Sequence, residues 1–186
     1  MSGTRDIVLV ALFAAIIVAL GLVPPLALGF VPVPITLQTL GVMLAGAILG
    51  PVRGALACLL VALLVVIGLP VLAGGRGGLG VVAGPTGGFL LGWVPGAFVT
   101  GWLVKRFARA KAGAAQHVAA LFAACAVGGI LVVYAVGIPW LAVAAGFGLQ
   151  RAALGTLTFV PGDLIKAVIA AIVARSVQRA YPMDLR

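Results

Sequence analysis

The chain alternates between long apolar runs and short segments rich in glycine, proline and basic residues. The runs fall at residues 6–23, 35–49, 54–72, 87–104, 117–136 and 159–175. Crossing a bilayer core of ~30 Å takes about 20 helical residues at ~1.5 Å rise each, so the pattern predicts six transmembrane helices. The second run is short, and a re-entrant pair made of the second and third around Gly50-Pro51 would leave five. Strands of a membrane barrel alternate apolar and polar side chains, and these runs do not alternate. The expected fold is an all-α polytopic membrane protein, a single transmembrane domain over residues 1–186.

Composition agrees. Hydrophobic residues make up 64% and charged residues 8%, against about 45–50% and about 25% in soluble domains. A water-soluble globule is excluded. The first run has the length of a full span and lacks a convincing small-residue cleavage site, so it is expected to remain in the membrane rather than be removed as a signal peptide. Cys58 and Cys125 lie inside apolar runs without metal-ligand spacing and read as small core residues.

The net charge of +9 raises the question of a nucleic-acid partner. Its distribution argues against one, because the basic residues cluster where the apolar runs end. In the six-span arrangement Arg5, Arg53, Lys105, Arg106, Arg109, Lys111, Arg175, Arg179 and Arg186 share one side, and only Arg76 and Arg151 fall on the other. Nine against two is a strong positive-inside bias, which predicts cytoplasmic termini and a multi-pass protein of the inner, cytoplasmic membrane. The basic stretch 105–111 then serves topology and contact with anionic lipid. The connections 21–34, 70–86 and 137–158 face outward, and long Gly- and Pro-rich loops usually carry function. They are expected to roof a pocket open to the exterior, with 70–86 as a lid whose glycines permit large backbone changes.

Candidate chemistry centres on Asp163. The other two acids, Asp6 and Asp184, stand near the chain ends, whereas Asp163 opens the last apolar run. An ionisable residue at bilayer depth costs about 2.5–3.5 kcal/mol and rarely persists without a partner or a task. Lys166, three residues on, shares its helix face, and Pro161-Gly162 places the carboxylate in the first helical turn, where the dipole favours negative charge. The bland alternative is a self-neutralising internal salt bridge, although two apolar residues are usually as stable as a buried pair.

Other features carry weaker signals. The segment from Gly75 to Gly80 matches a dinucleotide fingerprint only formally, because no strand–helix context exists for it. Its glycines, Gly75, Gly77 and Gly78, nonetheless offer unobstructed backbone N–H groups suited to anions, and Arg76 among them adds a charged fork suited to a carboxylate. The alternative is a flexible exterior linker. Thr86 fits the N-cap of the fourth helix, and Gly87 and Gly88 would let another backbone or a ligand come close. Ala11, Ala15 and Ala19 repeat every fourth residue on the first helix, a spacing that lets helices approach closely in lipid, as do Gly46/Gly50 and Gly92/Gly96. His117 reads as a solvated flank residue. With no Glu or Asn in the chain, a carboxylate dyad or multi-His metal site is not available. Neither a metal, a cofactor nor an enzymatic activity is expected.

Taken in order, Val31-Pro32-Val33-Pro34-Ile35-Thr36-Leu37-Gln38-Thr39-Leu40, Gly41-Val42-Met43-Leu44-Ala45-Gly46, Leu49-Gly50-Pro51, Gly68-Leu69-Pro70-Val71, Gly74-Gly75-Arg76-Gly77-Gly78, Gly84-Pro85-Thr86-Gly87-Gly88 and Pro161-Gly162-Asp163-Leu164-Ile165-Lys166 closely resemble the BioY family. These are the biotin-binding S components of energy-coupling-factor (ECF) vitamin transporters. The resemblance implies a six-helix protein that takes biotin from outside for import driven by partner ATPases, together with a transmembrane coupling subunit. It implies that Asp163 and Lys166 match binding residues, that Arg76 holds a ligand-contacting loop position where some relatives have Asn, and that Ala11 and Ala15 match a helix-one surface that meets the coupling subunit. Phe89 stands where many relatives carry Tyr.

Biotin offers two ureido N–H donors, a carbonyl acceptor, an apolar thioether ring and a carboxylate tail. On this reading Asp163 accepts from a ureido N–H while Lys166 donates to a ligand oxygen and balances the Asp163 charge. Arg76 and the amides of Gly75, Gly77 and Gly78 face the remaining polar end. Phe89 and Trp93 cover the ring, and Gln38, Thr86 and Gly87 complete the expected binding set. An S component for another vitamin, an intramembrane enzyme using Asp163 and Lys166 as acid and base, and a transporter coupled to protons at Asp163 are the competing readings.

Overall fold

The computed structural model describes residues 3–27, 29, 31–108, 113–146 and 148–181. Of the basic residues that set the charge bias, Arg109, Lys111 and Arg186 lie outside them. Helix α1 (Gly3–Leu20) is followed by a hairpin of α2 (Gln38–Leu49) and α3 (Pro51–Val66). Gly50 reverses the chain between the two at φ 86°, a conformation open to glycine, and Pro51 starts α3 where its missing N–H costs nothing. A short α4 (Leu79–Ala83) precedes α5 (Gly87–Phe107). Helix α6 (Ala114–Ala126) runs through a π turn (Val127–Val132) into α7 (Val133–Ala144). Finally α8 (Leu149–Leu157) bends by 52° into α9 (Val160–Ala180).

The described residues contain no strand, only two isolated bridges, Leu26–Ile35 and Leu72–Arg76. By length and apolar composition α1, α5 and the continuous rod Ala114–Ala144 are each long enough to cross a membrane, and the bent α8–α9 pair makes a fourth candidate. Helices α2 and α3 are apolar but shorter.

Two departures from the sequence pattern have local causes. The fifth helix does not stop at 136: α7 continues through Pro139 to Ala144, where Gly146 at φ 67° ends it with an N–H donated to Val143 O. A glycine just past the last turn is a common helix stop, and here it outranks the proline as the terminator. The remainder of the expected 137–158 loop is mostly α8. Thr86, expected as an N-cap, has helical backbone angles and makes no capping bond. Its hydroxyl accepts from Arg76 instead.

Helix α5 sits centrally, packed on α2, α3 and α7. Small residues make this possible. A Cβ at Gly46 would lie 2.5 Å from Ala97 O, and one at Gly101 would lie 2.4 Å from the Gly50 carbonyl carbon. Both cysteines are buried core residues. On α1 the opposite occurs: Phe13, Ala14 and Ile17 are buried, whereas Ala11, Ala15 and Ala19 face outward.

One end of the bundle is tied by polar contacts. Arg53 Nη2 lies 2.8 Å from Asp6 Oδ1, joining the starts of α3 and α1, and both side chains are buried. Arg53 is thus a structural ion-pair partner as well as a member of the charge bias. His117 is likewise not solvated. It is buried on α6, with Nε2 3.1 Å from Gln178 Oε1 on α9, and Gln178 Nε2 donates to Ala47 O on α2 at 2.9 Å. The amide of Gln178, sixty-one residues away in sequence, supplies the partner that local inspection could not find.

Candidate ligand-binding site

At the opposite end, the starts of α2, α5, α7 and α9 converge around a partly enclosed cavity that opens to solvent. Its wall is mostly apolar: Val33, Ile35, Leu72, Phe89, Leu90, Trp93, Val133 and Phe159. Phe89 and Trp93, one helical turn apart on α5, present their rings side by side along one face. The Phe89 ring meets Tyr134 edge-on, with centroids 6.1 Å apart and an angle of 81° between planes. This is a favourable aromatic geometry.

Charge is concentrated at one place in that wall. Pro161 sits in the first turn of α9 and Asp163 follows it, its N–H donated to Phe159 O at 2.9 Å. Asp163 and Lys166 are 4% and 5% exposed, so each must be satisfied by protein or ligand. Lys166 Nζ donates to Asp163 Oδ1 at 2.8 Å, to Thr36 O at 2.6 Å and to Thr39 Oγ1 at 3.1 Å. An ammonium has three N–H bonds, and all three are engaged. Thr39 Oγ1 donates in turn to Asp163 Oδ1 at 3.3 Å, and Tyr134 Oη donates to Asp163 Oδ2 at 2.6 Å. The carboxylate therefore keeps lone-pair capacity for one further donor, since it offers about four acceptor directions. The pair is not merely self-neutralising: it organises a four-residue polar cluster on the cavity surface.

Arg76 borders the same cavity from the loop between α3 and α5. Its Nε donates to Ala73 O at 3.1 Å and its Nη1 to Thr86 Oγ1 at 3.3 Å. It has no carboxylate partner among the described residues. Partial burial pulls its pKa below the usual arginine value by desolvation, yet a guanidinium remains charged. A half-buried cation with spare N–H bonds is a receptor for an anion.

Of the residues singled out in the sequence, the cavity brings together Asp163, Lys166, Arg76, Thr86, Phe89, Trp93 and Gln38. It does not include Gly75, Gly77, Gly78 or Gly87 in its wall. These glycines shape backbone instead. Gly75 and Gly78 have φ of 68° and 89°, a Cβ at Gly77 would lie 2.1 Å from Leu69 O, and one at Gly87 would lie 1.7 Å from Val82 O. Gly88 lets α5 meet Trp140, whose Nε1 donates to Gly84 O at 2.9 Å. Thr36, Thr39 and Tyr134 were missed. Tyr134, a phenol inside an otherwise apolar run, was the available signal, because a buried Tyr hydroxyl usually has a hydrogen-bond partner.

An apolar helical body with a cavity near one end, lined by aromatic side chains and a buried charged cluster, has the build of a membrane-embedded solute-binding component of a transporter. Comparison with known proteins gives the particular family: the model of the BioY family matches residues 1–183, and the chain belongs to that family. It is 58% identical over 181 residues to the biotin transporter BioY of Rhizobium etli, covering 97% of each chain. It is 52% identical over 190 residues to the biotin transporter BioY of Rhodobacter capsulatus, again covering 97% of each. The fold superimposes with a TM-score of 0.88 on the crystal structure of the S-component for biotin from an ECF-type ABC transporter, at 33% identity, covering 94% of this chain and 91% of that one. These relatives are named as transporters, not as enzymes.

Proposed function

We propose that this protein captures biotin at the outer face of the inner, cytoplasmic membrane, as the S component of an ECF-type uptake system. The observation that carries the reading is the Asp163–Lys166–Thr39–Tyr134 cluster set into an aromatic-lined cavity. A ligand N–H completes the acceptor capacity left on Asp163, the thioether ring lies against Phe89 and Trp93, and a ligand oxygen competes for Lys166 or Thr39. Arg76, with Thr86 beside it, receives the remaining polar end. Gly75, Gly77, Gly78 and Gly87 support the site by shaping the backbone around it. Equilibrium binding of labelled biotin to the purified protein is the direct test. Saturable binding, displaced by unlabelled biotin but not by other vitamins, is expected; a protein that ignores biotin and binds another vitamin would overturn the assignment.

In this arrangement the chain crosses the membrane six times, with both termini cytoplasmic and the cavity opening outward. Single cysteines in a Cys58→Ala/Cys125→Ala background check this. A membrane-impermeant maleimide added to intact cells is expected to label position 24 and spare position 106; the reverse pattern would invert the topology. The outward face of Ala11, Ala15 and Ala19 on α1 is the surface offered to the coupling subunit, since small side chains let a partner helix approach closely in lipid. Partner ATPases supply the energy, as this chain has no phosphate-binding loop of the P-loop type.

A further inference from the structure

Gln38 borders the cavity, but its amide is engaged by backbone groups. Gln38 is 1% exposed at the first position of α2. Its Nε2 donates to Ile17 O at 3.2 Å and to Val71 O at 3.1 Å, and its Oε1 accepts from Ala73 N–H at 2.9 Å. Both amide donors are spent. Ile17 O belongs to the last turn of α1, whose carbonyls lack helical partners, and Gly21 N–H goes to Val18 O instead. Gln38 therefore joins the end of α1 to the backbone on either side of Leu72.

That backbone is a tight hairpin. Leu72 and Arg76 exchange N–H···O bonds of 3.0 and 3.2 Å, and Gly74 and Gly75, at φ 79° and 68°, turn the chain between them. Leu72 and Arg76 both line the cavity. Leu72 also lines a second, outer groove, shared with Val18, Leu22, Pro25 and Pro70. Leu72 thus borders both the cavity and the groove. The path of the Gln38 amide is kept open by Gly21, where a Cβ would lie 2.9 Å from Nε2.

We propose that Gln38 is a positioning residue that latches the 71–76 hairpin shut over the cavity, and that ligand enters and leaves past Leu72 through the outer groove when its bonds to Val71 and Ala73 release. The proposal rests on the binding role of the cavity described above but not on the identity of the ligand. A contact residue and a latch differ in kinetics. Loss of a contact speeds dissociation alone, whereas a weakened latch raises the open population and speeds association and dissociation together.

Gln38→Met keeps the length of the side chain and removes its polar grip. Stopped-flow binding of fluorescent biotin to the purified full-length variant is expected to show both rate constants raised by about tenfold, the effect of losing roughly one hydrogen bond's worth of closure. Hydrogen–deuterium exchange without ligand is expected to rise at residues 71–76 and not in α5 or α9. Gly21→Ala, which displaces the amide without removing it, should do the same more weakly and serves if Gln38→Met fails to fold. A rise in dissociation alone, exchange at 71–76 unchanged, or exchange raised throughout the protein would each refute the latch. Because the exchange measurement needs no ligand, a wild-type protein that binds no biotin would remove the biotin assignment while leaving the latch judged on its own result.

Discussion

Asp163→Asn will weaken biotin binding by at least about tenfold. In the wild type the carboxylate accepts from Lys166, Thr39 and Tyr134 and has capacity for one more donor. A charge-assisted hydrogen bond in a dry pocket contributes about 1.5–3 kcal/mol, which corresponds to roughly 10- to 150-fold in affinity. The amide retains shape but not charge, and one of its two ends becomes a donor. Whichever end faces Lys166 or Tyr134, one donor-to-acceptor pairing is weakened or reversed. Lys166 is also left without its counter-charge, so some loss of stability is expected as well. A double variant, Asp163→Leu/Lys166→Met, separates the two effects, because it removes both charges at once. It is expected to melt closer to wild type and still not bind. Unchanged affinity in the folded fraction of Asp163→Asn would remove Asp163 from the ligand-binding role.

The second large effect lies at the other end of the bundle. Arg53→Met leaves Asp6 buried without the guanidinium that lies 2.8 Å away. Breaking one side of a buried ion pair costs about 3–5 kcal/mol, whereas replacing both sides by apolar groups is often neutral. The single variant should unfold at clearly lower denaturant in detergent, and Asp6→Leu/Arg53→Met should recover most of the loss. The consequence reaches beyond stability, because α1 packs chiefly on α2 and α3 and carries the outward Ala11, Ala15 and Ala19 face. If that face meets a coupling subunit as proposed, a loosened α1 start is expected to weaken its retention. If the single variant melts like wild type, the pair is not holding α1 in place.

Much of the polar cluster at the cavity was legible because two of its members are neighbours on one helix. Asp163 and Lys166 stand three apart in an apolar run, and a buried charge has few reasons to persist there. Arg76 was legible as a cation in an outward glycine-rich loop. The roles of the surrounding groups were not. Gln38 reads as a polar residue fit for a ligand, yet its donors go to Ile17 O and Val71 O, in segments 21 and 33 residues away. The glycines around Arg76 read as free amides, yet they stand outside the cavity wall: Gly78 N–H goes to Val65 O, Gly74 and Gly75 turn the hairpin, and Gly77 packs against the Leu69 backbone. His117 had no visible partner along the chain, and Gln178 supplied one from another helix.

Membrane immersion, the approximate positions of the helices and the placing of a charged pair within the last of them were decided by the order of residues alone. Hydropathy acts through the bilayer on each segment independently, and a helix sets its own faces by its turn. The closing of the cluster was decided only by packing. Lys166 reaches Thr36 across 130 residues and Tyr134 reaches Asp163 across 29, and nothing along the chain encodes which distant polar group will stand at hydrogen-bond distance. That depends on how closely glycines such as Gly46 and Gly101 let the helices approach, and on the angles at which the helices then cross.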